Sequence, residues 1–329
     1  MGIFGKSTAL IMLTLISISL WAQGPNNSGT YYQNADGKKG EALKTALCII
    51  INPHTERTYK QLWTDFQSTD MREDGKVWDM YSSITNYEFG TDQAGNFSKE
   101  GDKYNREHSF PKSWFNDATP MYTDLFHLYP TDGTVNGKRD NHPFGEVANP
   151  SWTSAEGFSK LGTCTYPGYT GTVFEPNDEY KGDFARTYFY MVTCYEEKLP
   201  NWYENNPESQ PTLDGNTYPG LSSWQLEMLM KWAKNDPVSE KETNRNNAVY
   251  DIQQNRNPYI DYPGLEEYVW GDKKEEAFSY NNYGNTDGIT NFRYTITTTM
   301  QGTYNLQGQR IKNPAKGLYI INGNKVFIK

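Results

Sequence analysis

Cysteine is scarce in this chain. Its 329 residues hold three, Cys48, Cys164 and Cys194, with no C-x-x-C pair or other metal-ligand spacing, so no zinc site is implied. Cys48 sits in "EALKTALCIII" beside Leu43, Leu47 and Ile50 at helical spacing, which reads as a buried thiol. Cys164 and Cys194 are left as a candidate pair in an oxidising compartment. Positive charge is also short: 31 Lys and Arg stand against 40 Asp and Glu, a formal charge of −9. That balance excludes a protein that grips nucleic acid by bulk charge, because phosphate binding runs on Lys and Arg. Hydrophobic residues make up 36%, and no internal repeat is found. What the chain has in plenty is aromatic rings, 25 Tyr, 15 Phe and 9 Trp, enough to build a core and to exclude both a disordered chain and a polytopic membrane protein. The length suggests about two domains.

Both ends read as addresses. Residues 1–22 form a secretory signal: Lys6 gives the positive start, residues 9–21 the apolar run, and Ala22 the small residue before a cut at Gln23. The apolar run is shorter than the ~20 residues that span a bilayer, so the mature chain is expected to carry no transmembrane segment. No cysteine follows the run to accept a lipid anchor. At the other end, residues 272–302 are rich in Asn, Thr, Tyr and Gly without helical period and read as a linker. Residues 303–329 follow as short alternating strands punctuated by Gly308, Pro314, Gly317 and Gly323, with Asn322-Gly323 as a hairpin turn. Five basic residues and no acid lie in this tail. The order NLxGxR…P…KGxYIIxGxKxxxK resembles the C-terminal sorting domains read by the type IX secretion machinery of Gram-negative bacteria. The resemblance implies an outer-membrane secretion machine as a partner. It also implies a secreted or cell-surface location reached through the periplasm.

Residues 23–271 read as one α+β domain, mainly helical. Helical stretches are expected at residues 43–50 and 59–66. In "KGDFARTYFYMVTCYEEK", Phe184, Tyr188, Met191 and Tyr195 share a face; in "SSWQLEMLMKWAKND", Trp224, Met228 and Trp232 do, with Pro237 as the stop. A strand-and-loop region at 85–175 lies between the two pairs of helices and holds three of the four histidines.

The chemistry concentrates in two motifs there. "NREHSFPKSWF" offers Arg106, Glu107 and His108 in a row; "TDLFHLYPTDGTVNGKRDNHPFGEV" offers Asp124, His127, Asn136, Arg139 and His142. Hydrolysis of a phosphodiester needs a base for water, for which neutral imidazole is suited near neutral pH. It needs a hard cation to neutralise developing charge, and Glu and Asn oxygens suit Mg²⁺. It needs a guanidinium whose planar fork matches phosphate oxygens. His108, the pair Glu107 and Asn136, and Arg139 supply the three. Neighbours on a regular strand point to opposite faces, so Glu107 and His108 converge only if the strand ends or bulges there. A strand, a returning strand around residues 125–129 and a short helix starting near Asn136 would form a ββα unit around one metal.

These motifs resemble the endonuclease I family, secreted or periplasmic nucleases without sequence preference that carry a ββα-metal finger. "VFEPNDEYKGDFARTYFYM" and "DPVSEKETNRNNAVYDIQQNRNPYIDYPGLEEYVWG" extend the likeness over most of residues 40–271. The resemblance implies His108 as general base, Glu107 and Asn136 on one Mg²⁺ (Mn²⁺ or Ca²⁺ as substitutes), Arg139 beside the phosphate, and 5′-phosphate products from DNA, with RNA as a second substrate. Where members often have D-L-H-N-L, this chain has Asp124-Leu125-Phe126-His127-Leu128, leaving Asp124 and His127 in supporting roles. Compact members carry a transition-state arginine in a loop between the motifs; residues 116–122 here contain none, and Arg186 or Arg256 stand as substitutes. Two rival classes are weighed beside the nuclease. One is a glycoside hydrolase using Glu196-Glu197 or Glu266-Glu267. The other is a non-catalytic binding protein on a decayed nuclease fold.

Overall fold

Leu43, Leu47 and Ile51 recur at helical spacing and bury one face of helix α1 (Gly40–Ile51). This is a computed structural model, and it describes residues 24–283, 303–304, 316–321 and 324–328. The signal at 1–22 and most of the linker lie outside the described residues. After α2 (Leu62–Thr69) the chain reaches strand β1 (Tyr104–His108), which pairs antiparallel with β2 (Leu128–Asp132). The return strand therefore starts three residues later than the expected 125–129. It runs directly into α3 (Gly133–Arg139), which begins before Asn136 because Asp132 caps it, its carboxylate accepting from the Val135 amide at 2.9 Å.

A second sheet, β3 (Pro150–Thr153), β4 (Lys160–Thr163) and β5 (Thr172–Glu175), precedes α4 (Lys181–Cys194). Sequence periodicity marks one apolar face on α4, but thirteen of its fourteen residues are buried, which makes it the central helix of the fold. Its polar groups are matched inside: Tyr190 donates to Asp124 at 2.8 Å and Thr187 bonds Tyr129 at 2.6 Å. Around it lie α5 (Leu199–Asn205), α6 (Ser223–Asn235), α7 (Glu240–Gln253), α8 (Pro258–Asp261) and α9 (Leu265–Val269). All three cysteines are free and buried, so Cys164 and Cys194 do not pair.

The chain divides into two compact units after Tyr283. Residues 272–283, read from sequence as the start of the linker, belong to the first: Phe278 and Tyr280 are buried, and the Phe278 ring meets Tyr262 at 4.9 Å. In the second unit, β6 (Thr303–Tyr304), β7 (Gly317–Ile321) and β8 (Asn324–Ile328) form an antiparallel sheet. Among the described residues no helix is long and apolar enough to cross a membrane.

Glu266, on α9, is buried, and its Oε2 has no hydrogen-bond partner. Burial pushes its carboxyl up to about 7. Unfolded glutamate titrates near ~4.3, so across that window the folded chain binds more protons and loses stability as pH rises. Glu266→Gln removes the charge and keeps the shape. It is expected to melt like the parent at pH 5 and to be more stable by about 1–3 kcal/mol at pH 8. Thermal melts at both values check this; an equal pH 5-to-8 difference in both proteins would contradict it.

Candidate active site

Strand alternation sorts the first motif onto two faces of β1. Register with β2 is unbroken from Tyr104 opposite Asp132 to His108 opposite Leu128, and Ser109 N–H still donates to the His127 carbonyl at 3.0 Å. The bulge that would have brought Glu107 and His108 together is absent. Asn105 and Glu107 therefore share one face, Arg106 and His108 the other.

On the Asn105/Glu107 face lies α3. Asn136 and Arg139 are three residues apart on it, hence neighbours on the helix surface. Asn136 Nδ2 donates to Asn105 Oδ1 at 2.6 Å, and Arg139 Nη1 lies 3.1 Å from Glu107 Oε1. Tyr81 donates its hydroxyl to the same Oε1 at 2.8 Å. Glu107 is 3% exposed, and burial raises its carboxyl above the ordinary range while Arg139 and Tyr81 hold it back. Since the Asn136 amide nitrogen is committed to Asn105, its oxygen is the atom left for a cation.

Arg139 does not lie open to a phosphate. It is 1% exposed, donates to the His108 carbonyl at 2.9 Å and to the Ser109 carbonyl, and rests on Phe144 with 5.0 Å to the ring centre. The sequence expectation placed Arg139 beside the phosphate; in the structure its Nη1 and Nη2 are spent on Glu107 and on the backbone carbonyls of His108 and Ser109. Arg186 is likewise interior. It pairs with Glu242 across α4 and α7, with Nη2 to Oε2 at 2.9 Å, and donates to the Asp236 carbonyl. Arg256 is bound to Asp261. Sequence names a guanidinium but not its partner, and these partners are supplied by the fold.

On the opposite face, the His108 ring stacks on Tyr122 (5.1 Å between centres) and near Tyr59 (6.1 Å). Its Nε2 sits 3.0 Å from the Tyr122 carbonyl oxygen. A carbonyl only accepts, so Nε2 carries the proton and the Nδ1 lone pair is the basic atom. Burial, with help from the field of His127, holds the imidazole well below its usual 6.5, so it stays neutral. His127 is fully buried, donates Nε2–H to the Met121 carbonyl at 2.7 Å, and has its ring 5.5 Å from that of His108. His142 lies just after α3, its backbone N–H donating to the Arg139 carbonyl at 3.2 Å.

Asp124 is elsewhere. Its Oδ2 accepts from Tyr190 (2.8 Å) and Tyr195 (2.7 Å), and its Oδ1 from Gln253 and the Phe126 amide, both at 3.0 Å. It anchors the loop before β2 to α4 and α7. With His54 and Cys194 it makes the one group of three or more His, Cys, Asp or Glu donors among the described residues, all within 4.8 Å. The Asp124 oxygens are already saturated, and a thiol is a poor ligand for a hard cation. Glu107 and Asn136 offer carboxylate and amide oxygens, which suit a hard cation better than a thiol does. Tyr81, Asn105, Tyr59 and Tyr122 went unassigned from sequence; for Asn105 alone the period-2 pattern of β1 was a usable signal.

A family model described as Endonuclease I matches residues 39–264. The chain is 37% identical over 252 residues to an extracellular ribonuclease of Bacillus amyloliquefaciens, covering 73% of this chain and 78% of that protein. It is 33% identical over 266 residues to an extracellular ribonuclease of Bacillus subtilis (strain 168), covering 78% and 84%. An Endonuclease-1 of Buchnera aphidicola subsp. Baizongia pistaciae is 26% identical over 163 residues, covering 49% and 53%.

Proposed function

The chain belongs to the endonuclease I family, and from that premise we propose that it is an exported, Mg²⁺-dependent endonuclease that hydrolyses DNA and RNA with a histidine base and little sequence preference. That it is a nucleic-acid hydrolase follows from the family itself. One observation carries the finer reading: the end of β1 offers a neutral imidazole on one face and a Glu–Asn oxygen pair on the other.

In-line displacement at phosphorus puts the attacking and leaving oxygens on opposite sides. A phosphodiester laid across the end of β1 would meet His108 on the attacking side and Glu107 with Asn136 on the leaving side. His108 Nδ1 takes the proton from water as the water attacks; the Tyr122 carbonyl holds the ring and stabilises the imidazolium that forms. Glu107 and Asn136 would hold the cation, whose chemistry is to neutralise charge on the phosphate and the leaving oxygen. Tyr81, Asn105 and Arg139 orient those two ligands before the cation arrives. The bond to the 3′ oxygen breaks as that oxygen takes a proton from solvent water, which leaves phosphate on the 5′ end and a hydroxyl on the 3′ end. Contacts to a phosphate rather than to base edges carry no sequence information.

The acidic composition fits this reading. Setting aside the basic tail makes the body more acidic than the whole chain, so a bound cation supplies charge that the protein does not. The relatives are named extracellular, which supports residues 1–22 as an export signal; the type IX route to the outside or surface of a Gram-negative cell rests on the resemblance of the tail alone. The glycosidase alternative is not favoured: Glu196 is paired with Lys44 inside the fold, and Glu266 is the buried group described above.

Nicking of plasmid DNA and degradation of single-stranded RNA by the mature chain test the proposal. Both are expected in Mg²⁺, lost in EDTA, and restored by excess Mg²⁺. Both should also fall steeply with added salt. Undiminished cleavage in EDTA would contradict the role of the cation.

A further inference from the structure

An arginine that serves the substrate ought to lack a carboxylate of its own. Seven of the arginines lie among the described residues, and six are ion-paired: Arg57 with Asp65, Arg72 with Asp74, Arg139 with Glu107, Arg186 with Glu242, Arg245 with Asp70 and Arg256 with Asp261. The seventh is Arg106. No carboxylate among the described residues lies within ion-pair distance of it, in a chain where acids outnumber bases 40 to 31.

Its position is as telling as its lack of a partner. Arg106 is two residues before His108 on β1 and so on the same face. It is half-buried, with Cζ 3.4 Å above the Tyr59 ring and 4.2 Å from the Trp63 ring centre. Aromatic faces hold a guanidinium in place while leaving its edge for hydrogen bonds. Nη1 donates to the Tyr59 carbonyl at 2.6 Å, and Nε is buried with no hydrogen-bond partner. A buried N–H without an acceptor is costly, and an acceptor that arrives with substrate would relieve it.

We propose that Arg106 is the arginine that touches the substrate, donating to a non-bridging oxygen of the phosphodiester presented to His108. The proposal rests on the reading of His108 as base. It deepens that reading by giving the phosphate its own guanidinium on the attacking side. Tyr59 ties the two together: one ring carries Arg106 on its face and lies near-parallel to His108, at 20°. Arg139 and Arg256 need not leave their partners for the phosphate to be held.

The test is single-turnover cleavage of a DNA duplex in Mg²⁺ by the full mature chain and its Arg106→Met, Arg106→Lys and Arg106→Ala variants. Thermal melts and the salt dependence of binding accompany it. Arg106→Met should cleave about 10²–10³-fold more slowly, the loss usual for a donor to developing charge. It should also lower the slope of log affinity against log salt by ~0.7–0.9, one phosphate contact. Arg106→Lys keeps the charge without the fork and should still lose about tenfold or more. Added guanidinium ion should restore part of the cleavage to Arg106→Ala. Arg57→Met removes the same charge from the Asp65 pair and should cleave as the parent does. The proposal is overturned if Arg106→Met and Arg106→Lys both cleave within threefold of the parent. It is equally overturned if cleavage falls only with the folded fraction, with the salt slope unchanged and no rescue by guanidinium. Failure of the parent chain to cleave in Mg²⁺ would instead sink the underlying nuclease reading, and this proposal with it.

Discussion

His108→Ala is expected to lose about 10²–10⁴-fold of its cleavage rate, the range that a positioned general base supplies. The loss follows from three features of one ring. Its Nε2–H is anchored on the Tyr122 carbonyl, so the basic atom is Nδ1. Burial keeps the ring neutral well below its usual titration range, so it is ready to accept a proton at physiological pH. The ring is fixed against Tyr122 rather than free to rotate. Deleting it also orphans the Tyr122 carbonyl, a cost of about 1–3 kcal/mol, so the variant should melt lower yet remain folded. Rates are therefore compared per folded molecule, by single-turnover assay beside thermal melts. Added imidazole, which fits the space left, should return part of the activity. Cleavage at the parent rate per folded molecule would remove His108 from the base role.

Arg139→Met carries the other large effect, and here stability leads. The substitution strips the cation from a buried Glu107, removes the Arg139 donor from the His108 carbonyl and leaves the Ser109 carbonyl with the Tyr188 hydroxyl alone. Breaking a buried pair by removing one partner costs about 3–5 kcal/mol. At ~2–4 °C per kcal/mol for a domain of this size, the melting temperature should fall by roughly 10 °C. Cleavage should fall too, because both Glu107 and His108 hang on the backbone that Arg139 fixes. The double variant Glu107→Leu/Arg139→Met removes both charges together, so it should recover much of the lost stability and none of the activity. An Arg139→Met protein that melts like the parent but fails to cleave would return Arg139 to the substrate.

The motifs carried the site's composition but not its sidedness. Glu107, His108 and Asn136 stand out in the sequence because few chemistries want a carboxylate, an imidazole and an amide in that order; the fold adds that Glu107 and His108 lie on opposite faces of β1. The strand–strand–helix order was legible from the same stretch. Helices α1, α4 and α6 were visible through apolar and aromatic spacing. Helix α7 was passed over because Glu240–Gln253 shows no apolar stripe; its signal was the capping box of Ser239 and Glu242. The roles of Arg139 and Arg186 depend on Glu107 and Glu242, far away in sequence, and no local pattern reveals which guanidinium is already spent. The packing of Phe278 and Tyr280 on the body was hidden for the same reason: their composition reads as linker, while their contacts are long-range.

The proposed mechanism turns on the divided faces of β1, with water attacking from the His108 side and the 3′ oxygen departing on the cation side. The chemistry of the cut ends tests this most directly. RNA and DNA digested by the mature chain in Mg²⁺ should both carry 5′-phosphate and 3′-hydroxyl termini, with no 2′,3′-cyclic phosphate on the RNA. Cyclic phosphate on RNA, together with uncut DNA, would mean that the ribose 2′-hydroxyl is the nucleophile and would contradict the water-attack mechanism.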